Sequence, residues 1–195
     1  MRVAVVGVQG DVEEHVLTTK RAMKNLGIEG EVVATRRKGV VSKSDAVIIP
    51  GGESTTISKL IFADSISKEI VELVESGKPV MGTCAGLIVL SKFGDEQVEK
   101  TKTKLLGLLD VKVKRNAFGR QRESFQIVLE MKKVGKIDAV FIRAPIIEEV
   151  GKNVEILAEF EGKIVAVQQG KILGLAFHPE LSTTKVHEFF LGLVE

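Results

Sequence analysis

The only cysteine of the chain, Cys84, is the residue best placed to do chemistry. In the segment 79–87, PVMGTCAGL, apolar residues lead into small residues around the cysteine, as expected where a strand turns sharply into a helix. Such an elbow presents a nucleophile, and the start of the helix favours its thiolate form. The amide of Ala85, directly after the thiol, is placed to donate to an oxyanion. A small, buried, inert cysteine is the competing interpretation.

A thiol nucleophile needs a base, and the pattern around His178 favours this histidine. It ends a short apolar run and precedes Pro179, which biases His178 toward an extended conformation. Glu180 then points the same way and can orient the imidazole while the other ring nitrogen takes the thiol proton. A surface loop after a strand is the alternative. We expect His15 to be a structural residue or to lie behind the site, and His187 to be solvated or at an edge.

Two other segments could bind an anion. The segment PGGES at 50–54 follows a buried strand and precedes a helix, so its backbone amides can face a ligand. It lacks the P-loop pattern, and GVQGDVEEH lacks G-x-G-x-x-G, which argues against nucleotide binding. The segment 115–122 contains three arginines, which suit a carboxylate or a phosphate but equally suit a solvated rim.

The first half of the chain predicts alternating strands and helices that place these residues. Continuous apolar runs predict buried strands, and amphipathic segments predict the helices between them. We expect strands at 2–8, 31–35, 45–50 and 79–83, and helices at 54–62 and 65–76. A further helix is expected to be capped by Asp11 and to end at Gly27. This order is typical of a parallel sheet.

The second half changes to a period of two residues, which is typical of antiparallel strands. Strands are expected at 111–115, 124–131, 139–143, 154–160, 163–169 and 171–177, with an exposed loop at 92–104 and a last helix from Ser182. Hairpin turns are expected at Glu161-Gly162 and near Gly170. The prediction is α/β: one domain, residues 1–195, with a central, mainly parallel but mixed sheet flanked by helices and late antiparallel strands.

Composition narrows the classes of function. The 195 residues include 28 basic and 26 acidic side chains, a net charge of +2, and neither Trp nor Tyr, so we expect no nucleic-acid partner. One cysteine argues against a disulfide framework and a multi-cysteine metal site. The opening segment does not resemble a signal peptide and no run is long enough to span a membrane, so a cytoplasmic protein without a membrane partner is expected.

Three motifs in this order, PGGES at 50–54, GTCAGL at 82–87 and HPEL at 178–181, resemble the class I (triad-type) glutamine amidotransferase family. GVQG with the nearby His15, KRNAFGRQ at 114–121 and FIRAP at 141–145 are similar to one branch, the glutaminase subunits of pyridoxal 5′-phosphate synthase. The resemblance covers essentially the whole chain and implies a flavodoxin-like fold. Asp11 departs from it, standing where the family more often has a small residue.

The resemblance implies a mechanism and a set of site residues. Cys84 would attack the side-chain amide of L-glutamine, His178 would act as base and then acid, and Glu180 would orient His178. The amides of Gly52 and Ala85 would form the oxyanion hole. The residues implied to bind glutamine are Gly52, Glu53, Ser54, Arg115, Ile142 and Arg143. A thioester would be hydrolysed to glutamate, with no metal and no cofactor.

The resemblance also implies a partner. Ammonia would pass to the larger, TIM-barrel subunit of pyridoxal 5′-phosphate synthase in a large hetero-oligomer, and the glutaminase would be weakly active until that subunit docks. Three alternatives remain: a glutaminase that serves a different synthase, a catalytically silent flavodoxin-like binding or regulatory module, and another cysteine hydrolase on a similar sheet.

Overall fold

Five parallel strands form the half of the sheet that carries the site. In a computed structural model, which describes residues 1–118 and 123–194, β1 (Arg2–Val6) lies between β2 (Glu31–Thr35) and β3 (Ala46–Ile49). β4 (Val80–Thr83) follows β3, and β12 (Ile172–Leu175) follows β4. All residues of β3, β4 and β12 are buried, because helices cover both faces of such a sheet and select apolar, often β-branched, side chains.

The helices pack in two groups. They are α1 (Val12–Asn25), α2 (Ser54–Ala63), α3 (Ile66–Glu75), α4 (Ala85–Leu90), α5 (Glu96–Lys100) and α6 (Lys185–Leu191). α1 packs against α6, and α2 packs against α3 and α4. The carboxyl ends of the parallel strands meet at one edge of the sheet, where the loops that precede α1, α2 and α4 lie together.

Antiparallel strands extend the sheet beyond β12, as expected from the change of period. β11 (Lys163–Gln169) pairs with β12, β10 (Glu155–Phe160) and β9 (Ile146–Val150), and β9 pairs with β6 (Leu109–Lys114). β5 (Ser91–Phe93) runs parallel to β6. β7 (Ser124–Met131) and β8 (Gly135–Ile142) form a separate antiparallel pair. The predicted α/β class with a mixed central sheet is therefore confirmed.

The prediction of an exposed loop at 92–104 was wrong. This segment contributes β5 and the short helix α5, whose first turn is capped by Asp95: the carboxylate accepts from Gln97 N at 3.0 Å and Val98 N at 3.1 Å. Val98 is buried, and a Cβ on Gly94 would lie 2.5 Å from its side chain. One buried valine in a five-residue helix is too little to give a helical period.

Other local expectations were partly met. Glu161 and Gly162 have φ values of 50° and 71°, and Gly170 has 57°, consistent with the predicted tight hairpin turns. β9 was not predicted, and the last helix begins at Lys185 after one 3₁₀ turn at Pro179–Leu181. Asp11 precedes α1, but its side chain makes no capping hydrogen bond.

Two expectations are limited by the described range. Residues 119–122 lie outside the described residues. They include the second half of the arginine-rich segment 115–122 and the last three residues of KRNAFGRQ. Within the part of the chain that is described, no helix combines the length and apolar character needed to cross a membrane.

Candidate active site

Cys84 occupies a strained elbow between β4 and α4, with φ 48° and ψ −103°. A non-glycine residue in this region costs about 1–3 kcal/mol, and such strain is concentrated at functional sites. The elbow also needs glycines on either side. A Cβ on Gly82 would lie 2.6 Å from the backbone of Gly86, and one on Gly86 would lie 2.0 Å from the carbonyl oxygen of Ile49. The small residues around the thiol therefore let α4 start directly against β3 and β4.

His178 follows β12 and is held from both its backbone and its ring. Its amide donates to the carbonyl of Val140 at 2.8 Å, and its Nδ1 lies 2.7 Å from Oε1 of Glu180 in the 3₁₀ turn. The His178 side chain is 4% exposed and that of Glu180 is 0% exposed. Nδ1 is engaged by the carboxylate, so Nε2 is the ring atom left for proton transfer. Nε2 is buried and has no hydrogen-bond partner among the described residues.

The surroundings of His178 favour its protonated form. Burial of the ring opposes protonation, but Asp11, the Cys84 sulfur and Glu180 outweigh it and raise the pKa of His178 to about 12. The pKa of the Glu180 carboxyl is also raised, chiefly by burial, which the contact with His178 only partly offsets. An imidazolium beside Cys84 stabilises negative charge that develops on the sulfur.

Cys84 and His178 open into one cavity of about 270 Å³. Its size is slightly below the usual range for drug-sized ligands, about 300–1,000 Å³, and suits a small polar molecule. Every residue predicted to bind substrate or to form the oxyanion hole lines this cavity: Gly52, Glu53, Ser54, Ala85, Arg115, Ile142 and Arg143. Glu180 stands behind His178, on the side away from the cavity.

Three further lining residues, Gln9, Ile88 and Asn116, were not predicted as site residues. Gln9 lies in GVQG, and its Oε1 accepts from the amide of Glu53 at 2.9 Å, which ties the first loop to the PGGES loop. Asn116 follows Arg115 and has a φ of 48°. The sequence signals for Gln9 and Asn116 were their places inside GVQG and RNAFGRQ, and Ile88 directly follows GTCAGL.

The PGGES loop is packed tightly against the loop before α1. Gly52 has a φ of 139°, a conformation that favours glycine. A Cβ on Gly10 would lie 1.7 Å from the carbonyl oxygen of Gly51. Glu53 caps α2, since its carboxylate accepts from Thr55 N at 3.0 Å and Thr56 N at 2.7 Å. The loop is therefore held at both ends, and Gly52 lines the same cavity as Cys84.

The wall opposite this loop is held by aromatic packing. Arg143 follows β8 with a φ of 43°, and β8 is anchored by Phe141. The ring of Phe141 stacks on Phe125 with centroids 4.8 Å apart, and contacts Phe118 and Phe177 at 5.5 and 5.6 Å. Such pairs add about 0.5–1.5 kcal/mol each beyond burial. This packing holds β8 in place, and the carbonyl of Ile142 at its end lies 3.8 Å from Cys84 Sγ.

A pair of buried histidines lies behind the site. His15 Nδ1 is 3.0 Å from His187 Nε2, and His15 Nε2 is 3.0 Å from the hydroxyl of Thr83 and 3.2 Å from Oε2 of Glu180. Burial lowers the pKa of His187 to about 3 and that of His15 well below its usual value, so both rings are neutral. His15 therefore lies behind the triad, as predicted. The expectation that His187 is solvated was wrong: it is completely buried.

Comparisons with known proteins agree with this geometry. The model of the SNO glutamine amidotransferase family matches residues 5–195. The chain belongs to the SNO glutamine amidotransferase family. A curated relative in Archaeoglobus fulgidus, named pyridoxal 5′-phosphate synthase subunit PdxT, is 77% identical over 100% of this chain and 99% of its own length. A protein of the same name in Pyrococcus furiosus is 47% identical over 98% of each chain.

Solved structures support the fold. A crystal structure described as a glutamine amidotransferase has a TM-score of 0.87 and 44% identity, covering 98% of both chains. A glutamine amidotransferase from Thermotoga maritima, at 16% identity, has a TM-score of 0.61 over 92% of this chain and 76% of its own. The second likeness concerns the fold alone.

Proposed function

We propose that Cys84, His178 and Glu180 hydrolyse the side-chain amide of L-glutamine in the cavity between β4, β8 and β12. The observation that carries this assignment is the shared cavity of Cys84 and His178, with Glu180 at 2.7 Å from the far side of the imidazole. Family membership supplies the reaction class: the chain is an enzyme, a glutaminase.

The proposed reaction has two halves. His178 Nε2 takes the proton of the Cys84 thiol, and Sγ attacks the amide carbon. The backbone amides of Gly52 and Ala85 stabilise the resulting oxyanion. His178 Nε2 donates its proton to the leaving nitrogen, the C–N bond breaks, and ammonia leaves a thioester on Cys84. Water, deprotonated by His178, then attacks the thioester and releases glutamate. Dividing the hydrolysis of a poor electrophile into two steps lowers each barrier, and the proposed route needs neither a metal nor a cofactor.

Substrate binding is assigned to the walls of the cavity. Arg115 is 17% exposed, lines the cavity and lies 3.9 Å from the carboxylate of Glu53. Arg115 and Arg143 offer positive charge for the α-carboxylate of glutamine, while Glu53 offers the opposite charge for its α-amino group. Ser54 and the backbone at Ile142 complete the set of proposed polar contacts.

The chain acts as the glutaminase subunit of pyridoxal 5′-phosphate synthase, in vitamin B6 biosynthesis, and residues 1–195 are proposed to work as one glutaminase domain in the cytoplasm. We assign the ammonia to the TIM-barrel synthase subunit, in a large hetero-oligomer. The Gly51-Gly52 pair supports a further part of the proposal, that docking of this subunit orders the oxyanion loop, the PGGES segment 50–54 that carries the proposed oxyanion-hole amide of Gly52. Equal glutamine turnover with and without the synthase subunit would contradict this gating.

The test is glutamine-dependent formation of pyridoxal 5′-phosphate on mixing the chain with the synthase subunit. Cys84→Ala and His178→Asn should abolish glutamate release and glutamine-dependent product, while added ammonium should still support product formation. Leu17→Ala, a change at an exposed residue of α1, is the control for handling and folding. Full glutaminase activity in His178→Asn would overturn the triad, and capture of ammonia only by another synthase would change the partner.

A further inference from the structure

His178 has two carboxylates on one ring atom, not one. Oδ2 of Asp11 lies 3.2 Å from Nδ1 of His178, the atom that is also 2.7 Å from Oε1 of Glu180. Asp11 directly precedes α1, where an aspartate normally caps the helix, yet its side chain makes no capping bond. The side chain is turned toward the histidine instead.

The two carboxylates differ in environment. Glu180 is completely buried, and burial raises the pKa of its carboxyl. The side chain of Asp11 is 37% exposed, and its contact with His178 outweighs its partial burial and lowers its pKa. The Nδ1 proton can form one short hydrogen bond, which goes to Glu180. Asp11 therefore contributes mainly its negative charge, which its lowered pKa and its exposure to water keep ionised.

We propose that Asp11 is a positioning residue of the glutaminase reaction, a second carboxylate that keeps His178 protonated and oriented toward Cys84. This inference rests on the proposed function, because it assigns Asp11 a role through the triad histidine. In this proposal Asp11 acts through the His178 ring and not directly on the Cys84 thiol.

The surroundings of Asp11 explain why it reaches the histidine. A Cβ on Gly51 would lie 2.4 Å from Cε1 of His178 and 3.1 Å from Oδ2 of Asp11. Gly51 thus leaves open the space in which the carboxylate and the imidazole meet. The same contact links the loop before α1, the oxyanion loop and the base, three segments far apart in the sequence.

Other charged groups around His178 come from three elements. Cys84 faces the ring from the β4–α4 elbow, Glu180 from the 3₁₀ turn, and Asp11 from the loop before α1. His15 on α1 is buried and neutral, and therefore adds no charge near neutral pH. Asp11 is the member of this group that can be changed without touching the thiol, the ring or the buried Glu180.

The Asp11, His178 and Glu180 ligand atoms all lie within 4.8 Å of one another, an arrangement that could also hold a metal ion. A metal on Nδ1 requires that atom to lose its proton, whereas both carboxylates raise the pKa of His178 and retain the proton. The hydrogen-bonded arrangement is therefore the assignment that agrees with the electrostatics.

The test follows the titration of His178 by NMR on the full chain labelled with ¹⁵N-histidine. Asp11→Asn keeps the shape of residue 11 but removes its charge. We expect the His178 midpoint to fall so that the ring binds its proton at least tenfold more weakly. The control, Glu14→Gln, removes an equal charge from an exposed side chain in the first turn of α1 and should leave the midpoint in place.

Kinetics supply a second readout. Asp11→Asn should lower kcat for glutamine hydrolysis about tenfold at neutral pH, with KM unchanged, because His178 stays protonated at that pH but is oriented less firmly toward Cys84. The alkaline limb of the pH profile should move to lower pH, because the ring then loses its proton more easily. Asp11→Asn should lower kcat by a larger factor in a Glu180→Gln background than in the native chain, because Asp11 is then the only carboxylate left beside His178 Nδ1. Asp11→Ser repeats the test should Asp11→Asn fold poorly.

Two outcomes separate this inference from the proposed function. The same His178 midpoint in Asp11→Asn, Asp11→Ser and Glu14→Gln would overturn the role of Asp11, whatever the glutaminase does. Retained glutaminase activity in Cys84→Ala would overturn the triad, while a lowered midpoint in Asp11→Asn would still establish the electrostatic contact.

Discussion

His15 and His187 meet inside the protein, with Nδ1 of one ring 3.0 Å from Nε2 of the other and both side chains completely buried. Oε2 of Glu180 lies 3.2 Å from His15 Nε2, which favours a proton on that nitrogen. With this tautomer His15 Nδ1 accepts from Nε2–H of neutral His187, and His15 Nε2–H faces the hydroxyl of Thr83. Protonation of His187 would place a charge in the interior with no acidic partner beside it among the described residues. The core behind the site is therefore sensitive to acid.

The first prediction concerns stability in acid. His187 has a pKa of about 6.5 when unfolded and about 3 when folded, so the unfolded chain binds the extra proton between these values. Its contribution is fully present above pH 6.5 and is lost as the pH falls, at up to about 1.4 kcal/mol per pH unit. His187→Gln, whose amide can still donate to His15, should show a shallower fall in unfolding free energy between pH 6.5 and 4, measured by urea titration.

Comparison of the two chains isolates this effect from other titrating groups. Glu180, with its raised pKa, contributes in the opposite direction in part of the range, but it does so in both chains. If the unfolding free energy falls equally steeply with decreasing pH in the native chain and in His187→Gln, the buried histidine pair does not determine the loss of stability in acid.

A second prediction uses the close approach of the oxyanion loop to the base. Gly51→Ala would place a methyl group 2.4 Å from Cε1 of His178, and the ring cannot retreat easily because Asp11 and Glu180 hold Nδ1. A displacement of about 1 Å costs roughly 100-fold in rate, so kcat/KM for glutamine should fall by about that factor. The measurement is steady-state glutaminase activity with the synthase subunit present.

The matched control for this change is Gly192→Ala. Gly192 follows α6 with a φ of −64°, and a new Cβ there would come no closer than 3.3 Å to its nearest neighbour. It should retain nearly native activity. A fall in Gly51→Ala no larger than in Gly192→Ala would mean that the loop can move away from His178 without loss.

The sequence predicted the strands of the parallel half and most of the antiparallel strands, and the physical reason is the clear pattern of their apolar residues. β2, β7 and β11 have the predicted bounds, because continuous or alternating apolar runs of five to eight residues give a clear period. β5, α5 and β9 were missed or misread. These are short elements with few buried residues, and their formation depends on neighbours such as β6 rather than on their own pattern.

Local patterns also could not give contacts between distant segments. Asp11 was expected to cap α1, and only the fold brings it beside His178. His187 counts as polar in a helical pattern, so its burial against His15, 172 residues away in the chain, leaves no local signal. Cys84 and His178 were predictable because each sits at the end of an element that the sequence identifies, whereas the glutamine-binding set was implied by the family resemblance.

A third prediction addresses glutamine binding. Arg115→Gln removes a charge that lines the cavity, so KM for glutamine should rise about tenfold, equivalent to about 1.4 kcal/mol of binding, with kcat nearly unchanged. Arg37→Gln, at an exposed position outside the cavity, should leave KM at the native value. An unchanged KM in Arg115→Gln would assign the substrate carboxylate to Arg143 instead.

The last prediction concerns Glu180, the buried member of the triad. Glu180→Gln keeps the size of the side chain but replaces the carboxylate that accepts from His178 Nδ1 at 2.7 Å with a neutral amide. The imidazolium loses its closest negative partner, yet Asp11 still faces the same ring atom at 3.2 Å. Glutaminase kcat should therefore fall by about 10²–10³-fold, less than in Cys84→Ala, because the nucleophile and oxyanion hole remain. Single-turnover release of ammonia measures the acylation half directly, and a loss as large as that of Cys84→Ala would show that Asp11 cannot support His178 alone.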